Sequence, residues 1–463
     1  MEGYFFQLIA FGIVYKMYQA VYVERLAWFL FAILFIPDHF PLFSTTIASR
    51  FFIFSLMCIF ILKNYNNLIK KIKSFPLKYS WGAVLIGFII TSIADVRLKL
   101  DFVKIILWGG GFFLDNFLVV FLCYNLIKTF DDLIRAYKII LLFFGVLSVY
   151  GIYNIVTRDN FYMSIISNVY GVRDLAEVYM SGRDGRFRIS SFTWHPIYYG
   201  FVLGMGILMS LLLLISIKLK TLSKRVYLCI LLGVIVNLLF VNSRTPFFSL
   251  IAGLLIFLVF GLDLQKKLRF TFIAIGLSSI LLTSVPKFSE FVNDSLDTFS
   301  SKGSKLEGSS VEMRNMQLDA ALLIFSKNPV TGNGIDYIIT NLGFSSEVEN
   351  RVSDSDFAGF ESYLYKMLIE QGLIGIVSQT VFILSIMFYL VGHTVRSKST
   401  IRKQFAILNI AMLCCFLLFI FGTGDLGTFK IYFSILGINL KGLESLKMKE
   451  QAMLAQNAAI LDV

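Results

Sequence analysis

Histidine and cysteine are scarce in this chain, with 3 and 5 examples among 463 residues. His39, His195 and His393 fall in three separate connections, and no Cys/His group has the spacing of metal ligands, so a zinc site is not expected. Cys58, Cys123, Cys229, Cys414 and Cys415 all sit inside apolar segments. They read as small buried or lipid-facing side chains, not as an extracellular disulfide framework. A glycine-rich phosphate loop is missing as well. The run Gly109-Gly110-Gly111 lies within an apolar stretch beside Asp115, where close helix packing or a kink is the plainer reading. Alternating apolar and polar residues do not recur, which excludes a transmembrane β-barrel. No cleavable leader is recognisable, and the first apolar stretch, Tyr4 to Tyr22, reads as retained. The two halves show no internal repeat, which disfavours transporter folds built from duplicated bundles.

Charge is sparse and hydrophobicity abundant. Charged residues make up 16% of the chain and hydrophobic residues 57%, with 48 Phe, 21 Tyr and a mean hydropathy of +0.75. Such a chain cannot bury its apolar surface in water. A bilayer core about 30 Å thick takes roughly 20 apolar residues per helix. Uncharged runs of that order include Ile139 to Thr157, Val226 to Ser243, Thr245 to Leu262, Phe270 to Pro286, Gly372 to Gly392 and Phe405 to Gly424. The expected fold is therefore an all-α, polytopic transmembrane helical bundle of about 12–13 spans, with a large late extracytoplasmic loop containing short helices. The candidate spans are 4–22, 26–38, 48–63, 79–95, 103–127, 137–157, 197–217, 226–242, 245–262, 269–286, 363–392, 404–422 and 427–441. Grouped along the chain, they give N-terminal helices over 1–157, an outward loop over 158–196 and central helices over 197–286. A large outward loop over 287–362, C-terminal helices over 363–441 and a cytoplasmic tail over 442–463 complete the division.

The net charge of +12 reports orientation and not a nucleic-acid partner. Lysines and arginines cluster in alternate short connections: Lys63 to Lys78, Lys128 to Lys138, Lys218 to Arg225, Lys266 to Arg269, Arg396 to Lys403, and Lys441 to Lys449. That is the pattern of cytoplasmic loops. The intervening loops, 94–100, 158–196, 242–246, 287–361 and 422–428, then face outward, and the longest of them is rich in acids such as Asp294, Glu307, Glu347 and Asp356.

The late outward loop carries the most specific pattern. From Arg314 an amphipathic segment runs to Asn328-Pro329, followed by Val-Thr-Gly332-Asn-Gly334; Pro ends the helix and the glycines permit a tight turn. Downstream, Glu361-Ser-Tyr-Leu opens a span that continues through Glu370-Gln-Gly372-Leu-Ile-Gly375. Here the chain resembles the O-antigen ligase and O-antigen polymerase superfamily, whose pattern is an Arg, an amphipathic segment, Pro-x-x-Gly-x-Gly, a His-Asn-x-x-Leu-like start and Glu-x-Gly-Leu-x-Gly. Aligned on Glu370, Gly372 and Gly375, the ligase His falls on Glu361 and its Asn on Ser362. Polymerase-like members often lack that His, so the resemblance implies a polymerase with Glu361 as its replacement. Asn242-Ser-Arg244-Thr-Pro and Arg186-Phe-Arg188 leading to His195-Pro196 match two further arginine positions of the family.

The resemblance implies a glycosyltransferase that needs no metal or other cofactor. It would polymerise undecaprenyl-diphosphate-linked oligosaccharide repeats at the outer face of a bacterial plasma membrane. Membrane lipid, a chain-length regulator and a flippase are the implied partners; a ligase or a polysaccharide flippase are the alternatives. The chemistry suits the residues. Guanidinium groups offer charged, paired donors to a departing diphosphate, which points to Arg188, Arg244 and Arg314, each of which reads equally as an interfacial arginine. A carboxylate can take the proton of an acceptor hydroxyl, which points to Glu361, although an acid at a helix start also answers the helix dipole. His195 is a further substrate-binding candidate or a helix cap; Pro329, Gly332 and Gly334 shape the loop; Glu370 reads as structural.

Cysteines placed at Ser309 and Ser223 in a background without native cysteines should react with an impermeant thiol reagent from opposite sides of the membrane. Labelling of both from one side would overturn the orientation.

Overall fold

The computed structural model describes residues 2–36, 41–43, 46–98, 101–105, 110–170, 187–217, 221–284, 289, 311–342, 360–424 and 427–461. Its first part comprises α1 (Glu2–Gln19), α2 (Tyr22–Phe35), a small antiparallel ribbon of β1 (Pro41–Phe43) and β2 (Thr46–Ile47), and α3 (Ala48–Asn64). There follow α4 (Leu68–Ser74), α5 (Lys78–Ile93), α6 (Phe102–Ile105), α7 (Gly111–Asn116) and α8 (Leu118–Tyr124). The centre holds α9 (Phe130–Thr157), α10 (Phe161–Tyr170), α11 (Pro196–Ser216), α12 (Thr221–Phe240), α13 (Arg244–Ile256) and α14 (Leu264–Ser284). The last part comprises α15 (Val311–Phe325), α16 (Tyr337–Leu342), α17 (Tyr363–Val395), α18 (Thr400–Thr423) and α19 (Thr428–Leu461).

The all-α, multi-pass reading holds, and helix occupies each of the expected spans over most of its described residues. Among the described residues, however, seven helical stretches are long and apolar enough to cross a membrane, not twelve or thirteen. Two of the expected spans fall short in length: α2 and α5 have 14 and 16 residues, fewer than the ~20 that a perpendicular span needs. The expected span at 103–127 is not one helix. It breaks at Phe117, and the indole Nε1 of Trp81 donates to the Phe117 carbonyl at 3.0 Å, tying α5 to the break. Most of the acid-rich part of the late loop, and Arg186, lie outside the described residues.

Burial separates centre from periphery. The apolar window of α11 is 83% buried and that of α18 67%, whereas the window of α12 is 22% and that of α17 28%. Aromatic side chains fill the middle: Phe117 packs on Phe382, Phe429 and Phe433, and Phe416 stacks on Tyr432 with centroids 4.1 Å apart. Lipid tails are as apolar as these rings, so burial alone gives little preference for one helix pairing, and polar pairs between helices supply it. Tyr199 of α11 lies 3.0 Å from both the Leu147 carbonyl of α9 and Asn237 Oδ1 of α12. Tyr137 of α9 donates to Asn439 Oδ1 of α19, whose amide donates in turn to Asn409 of α18 at 2.7 Å.

One break organises the end of the bundle that carries Glu361. Gly372 leaves helical geometry inside α17, with φ 60° and ψ −156°, a region open essentially to glycine alone. The loop 329–334 fills the gap. Asn333 and Gly334 donate their N–H groups to the carbonyls of Ile369 and Glu370, both at 2.9 Å. Leu373 and Ile374 donate to the carbonyls of Pro329 and Val330, at 2.9 and 3.1 Å. Four backbone groups that the break would strand are thereby satisfied from one loop. The fit leaves no room for a side chain at Gly332, also at positive φ, because a Cβ there would overlap the Glu370 backbone.

Gly372→Ala should therefore cost roughly 1–3 kcal/mol from backbone strain, with the overlap against Gly332 and Pro329 in addition. Thermal unfolding of the purified protein in detergent should show a clear loss. An unchanged unfolding temperature would contradict the seating of the loop in the break.

Candidate functional site

The seated loop fixes the end of α15 and so directs one face of that helix at α17. Arg314, Gln317 and Ala321 follow the i, i+3, i+7 spacing of a single helical face, and Gln317 and Ala321 are fully buried. The Gln317 side-chain oxygen accepts the Glu361 N–H at 3.2 Å, and the Tyr365 hydroxyl donates to the Arg314 carbonyl at 3.3 Å. Arg314 Nη2 donates to the Gly422 carbonyl at 2.8 Å and lies 3.7 Å from Glu361 Oε2. Two residues singled out from separate sequence segments thus face one another. Their side chains are 30% and 29% exposed, so both can reach a molecule arriving from outside the bundle.

The turn after α18 holds this pair against a third element. Gly424 has φ +75°, and a Cβ there would come within 2.8 Å of the Glu361 carbonyl oxygen. At Gly422 a Cβ would press on Thr245, the residue after Arg244. Arg244, half-buried, is the first residue of α13, so the loops carrying Arg244, Arg314 and Glu361 meet at one end of the bundle.

Arg188 and His195 are placed differently. Arg188 is buried, and its Nε donates to the Val241 carbonyl at 3.3 Å. Beside it Ile189 donates to the Phe240 carbonyl, and the Asn242 amide donates to the Phe187 carbonyl at 2.7 Å. Segment 187–189 therefore braces the turn that presents Arg244. His195 is buried, and its Nδ1 accepts the Ile197 N–H at 3.0 Å, capping α11. Both residues support the turn and helix beside the site from below its surface.

Pro329, Gly332 and Gly334 form the seated loop, and Glu370 lies at its base with Oε1 accepting the Ile338 N–H at 3.3 Å. On the far side Arg97 holds the same loop, donating to the Ile335 carbonyl at 2.7 Å while paired with Asp95 at 2.7 Å. Deeper in α17 a buried chain runs from the Tyr363 hydroxyl through Gln379 to Gln371, at 3.0 and 2.8 Å. A small apolar cleft lined by Phe117, Tyr363, Met367, Phe416 and Phe429 lies beside it.

Sequence reasoning missed several participants. Gln317 was findable, one turn beyond Arg314 on an amphipathic helix; its Nε2 is buried and has no partner among the described residues. Gly422 and Gly424 carry no signal beyond their place in a short connection between two expected spans. Arg50 and Asp115, paired at 2.6 Å between α3 and α7, and the buried Lys430 of α19 beside Ser49 could not be matched from sequence, since 65 and 381 residues separate the partners.

A family model described as O-antigen ligase matches residues 228–379, about a third of the chain. The match spans Arg244, Arg314, the loop 329–334, Glu361 and the break at Gly372, and it supports the resemblance to the O-antigen ligase and polymerase superfamily. A search of curated proteins found no match.

A partly exposed ion pair at this separation is worth under about 1 kcal/mol. Glu361→Gln should accordingly leave the unfolding temperature in detergent almost unchanged. A large drop would give Glu361 a structural role that its exposure does not suggest.

Proposed function

We propose that this chain is a membrane glycosyltransferase that joins lipid-diphosphate-linked glycans, with Glu361 as general base and Arg314 and Arg244 as the diphosphate-binding groups. The observation that carries the reading is the meeting of Arg314 and Glu361, 3.7 Å apart and partly open, beside the turn that begins with Arg244. A diphosphate that engages Arg314 releases the Glu361 carboxylate from its partner. Glu361 then accepts the proton of the acceptor hydroxyl as that oxygen attacks the anomeric carbon of the donor sugar. The bond from that carbon to the phosphate oxygen breaks, and the lipid diphosphate leaves with the bonding pair. Its added negative charge falls on guanidinium groups, whose planar donors match phosphate oxygens and whose charge is little screened at a membrane boundary. The arginines supply the positive charge in this scheme, and no metal is invoked.

Within this activity we favour a polymerase of undecaprenyl-diphosphate-linked repeats, working at the outer face of a bacterial plasma membrane. The support is Glu361 itself, which stands where the resembling ligases have His. The description of the matched family favours the second reading, a ligase that moves finished glycan to another acceptor. Cells lacking the protein separate the two. Loss of long chains with single repeats still attached to their final acceptor indicates a polymerase, and accumulation of long lipid-linked chains indicates a ligase.

With a lipid-linked repeat as substrate and a chelator present, Glu361→Gln should lower turnover by roughly two to four orders of magnitude. Near-normal turnover would remove Glu361 as the base. Arg244→Lys keeps the charge but loses the forked donor geometry, so it should also lose most activity. Polymer output at the wild-type level from a normally inserted Arg244→Ala protein would remove Arg244 from the site.

A further inference from the structure

At the other end of the bundle three lysines from three elements converge. Lys71 lies on α4, Lys128 in the connection from α8 to α9, and Lys441 on α19, thirteen residues beyond Thr428 and so roughly 20 Å along the helix from the Glu361 end. Lys71 lies within electrostatic reach of both Lys128 and Lys441. Each ammonium is seated on a ring: Lys71 over Phe60 at 5.3 Å, Lys128 over Tyr22 at 3.5 Å and Lys441 over Tyr124 at 4.9 Å. Lys441 has a carboxylate partner, Glu444 at 3.1 Å. Lys71 and Lys128 have no ion-pair partner among the described residues. The nearest acid in sequence with a defined role, Asp132, is engaged in the capping box of α9 and accepts the backbone N–H groups of Lys128 and Thr129.

Three like charges with one carboxylate among them repel, and an arrangement that pins them on aromatic rings holds them in place for an anion. The surroundings say which anion. Leu62, Tyr65, Ile69 and Ile72, on and beside α4, are exposed apolar side chains adjoining the lysines, suited to acyl chains and not to water. We propose that Lys71, Lys128 and Lys441 form a binding site for the phosphate headgroup of an anionic phospholipid, whose acyl chains run along the exposed apolar face of α3 and α4. The bound lipid joins α2, α4 and the α8–α9 connection to α19, the helix that reaches the Arg314 and Glu361 end. The site is independent of the proposed glycosyl transfer.

The test uses the purified full chain in neutral detergent, with lipid binding followed by native mass spectrometry and by thermal unfolding. Phosphatidylglycerol should bind and raise the unfolding temperature, while phosphatidylcholine should do neither. Near an anionic surface each lysine contributes about a factor of five, so Lys71→Gln with Lys128→Gln should weaken phosphatidylglycerol binding on the order of thirty-fold. Lys71→Arg with Lys128→Arg should retain it. The exposed neighbours Lys70 and Lys73, both changed to Gln, remove the same net charge and should leave most of the affinity. Equal binding of the two lipids, equal losses from the two Gln pairs, or full stabilisation by inorganic phosphate alone would each overturn the proposal.

Discussion

A helix interrupted inside a membrane leaves carbonyl and N–H groups without partners, and hydrocarbon offers none. The break at Gly372 in α17 is tolerable because the loop 329–334 supplies donors to Ile369 and Glu370 and acceptors to Leu373 and Ile374. Much else at that end of the bundle follows from the exchange. The loop can sit there only if α15 ends where it does, which turns the face bearing Arg314 and Gln317 towards Glu361. Two glycine-rich motifs that look unrelated along the chain are the two halves of one hydrogen-bonded junction.

The electrostatics of the site follow from which charges are left accessible. Arg97 and Asp95 spend their charges on each other and on holding the loop, and Arg50 is matched by Asp115. Arg188 lies beneath the surface, where its charge and donors brace the turn of Arg244. Arg314 and Glu361 are held loosely, at 3.7 Å and about one-third open. A pair of that kind contributes little to stability, which is what the proposed exchange of each partner for a substrate group requires. Fully satisfied charges hold the frame, and the weakly satisfied pair stands at its opening.

The bundle behind the site has little apolar preference to orient it, since rings and lipid tails are alike in polarity. Asn237, Asn439 and Asn409 with Tyr199 and Tyr137 provide directional contacts that fix which helix faces which. α19 passes through this network from Thr428, beside the Gly422–Gly424 turn, to Lys441 at the other end. It is therefore one of the helices that join the two ends of the molecule, along with α17 and α18.

Composition and periodicity alone determined that the chain is an all-α membrane protein. An apolar run of sufficient length is a local property, and its cost in water does not depend on its neighbours. The motifs around Arg314, Pro329-x-x-Gly332-x-Gly334 and Glu361 were legible for a similar reason, because turn and helix-start residues act within a few positions of themselves. Tertiary structure decided what those motifs do. That Gly372 breaks its helix, that Phe117 interrupts an expected span, and that Arg188 and His195 lie buried against the Arg244 turn and the start of α11 all depend on partners brought in by packing. Trp81 is 36 residues from the carbonyl it satisfies, and Gln317 is 44 residues from the amide it accepts. No periodicity encodes such pairings; they exist only once helices have found their neighbours.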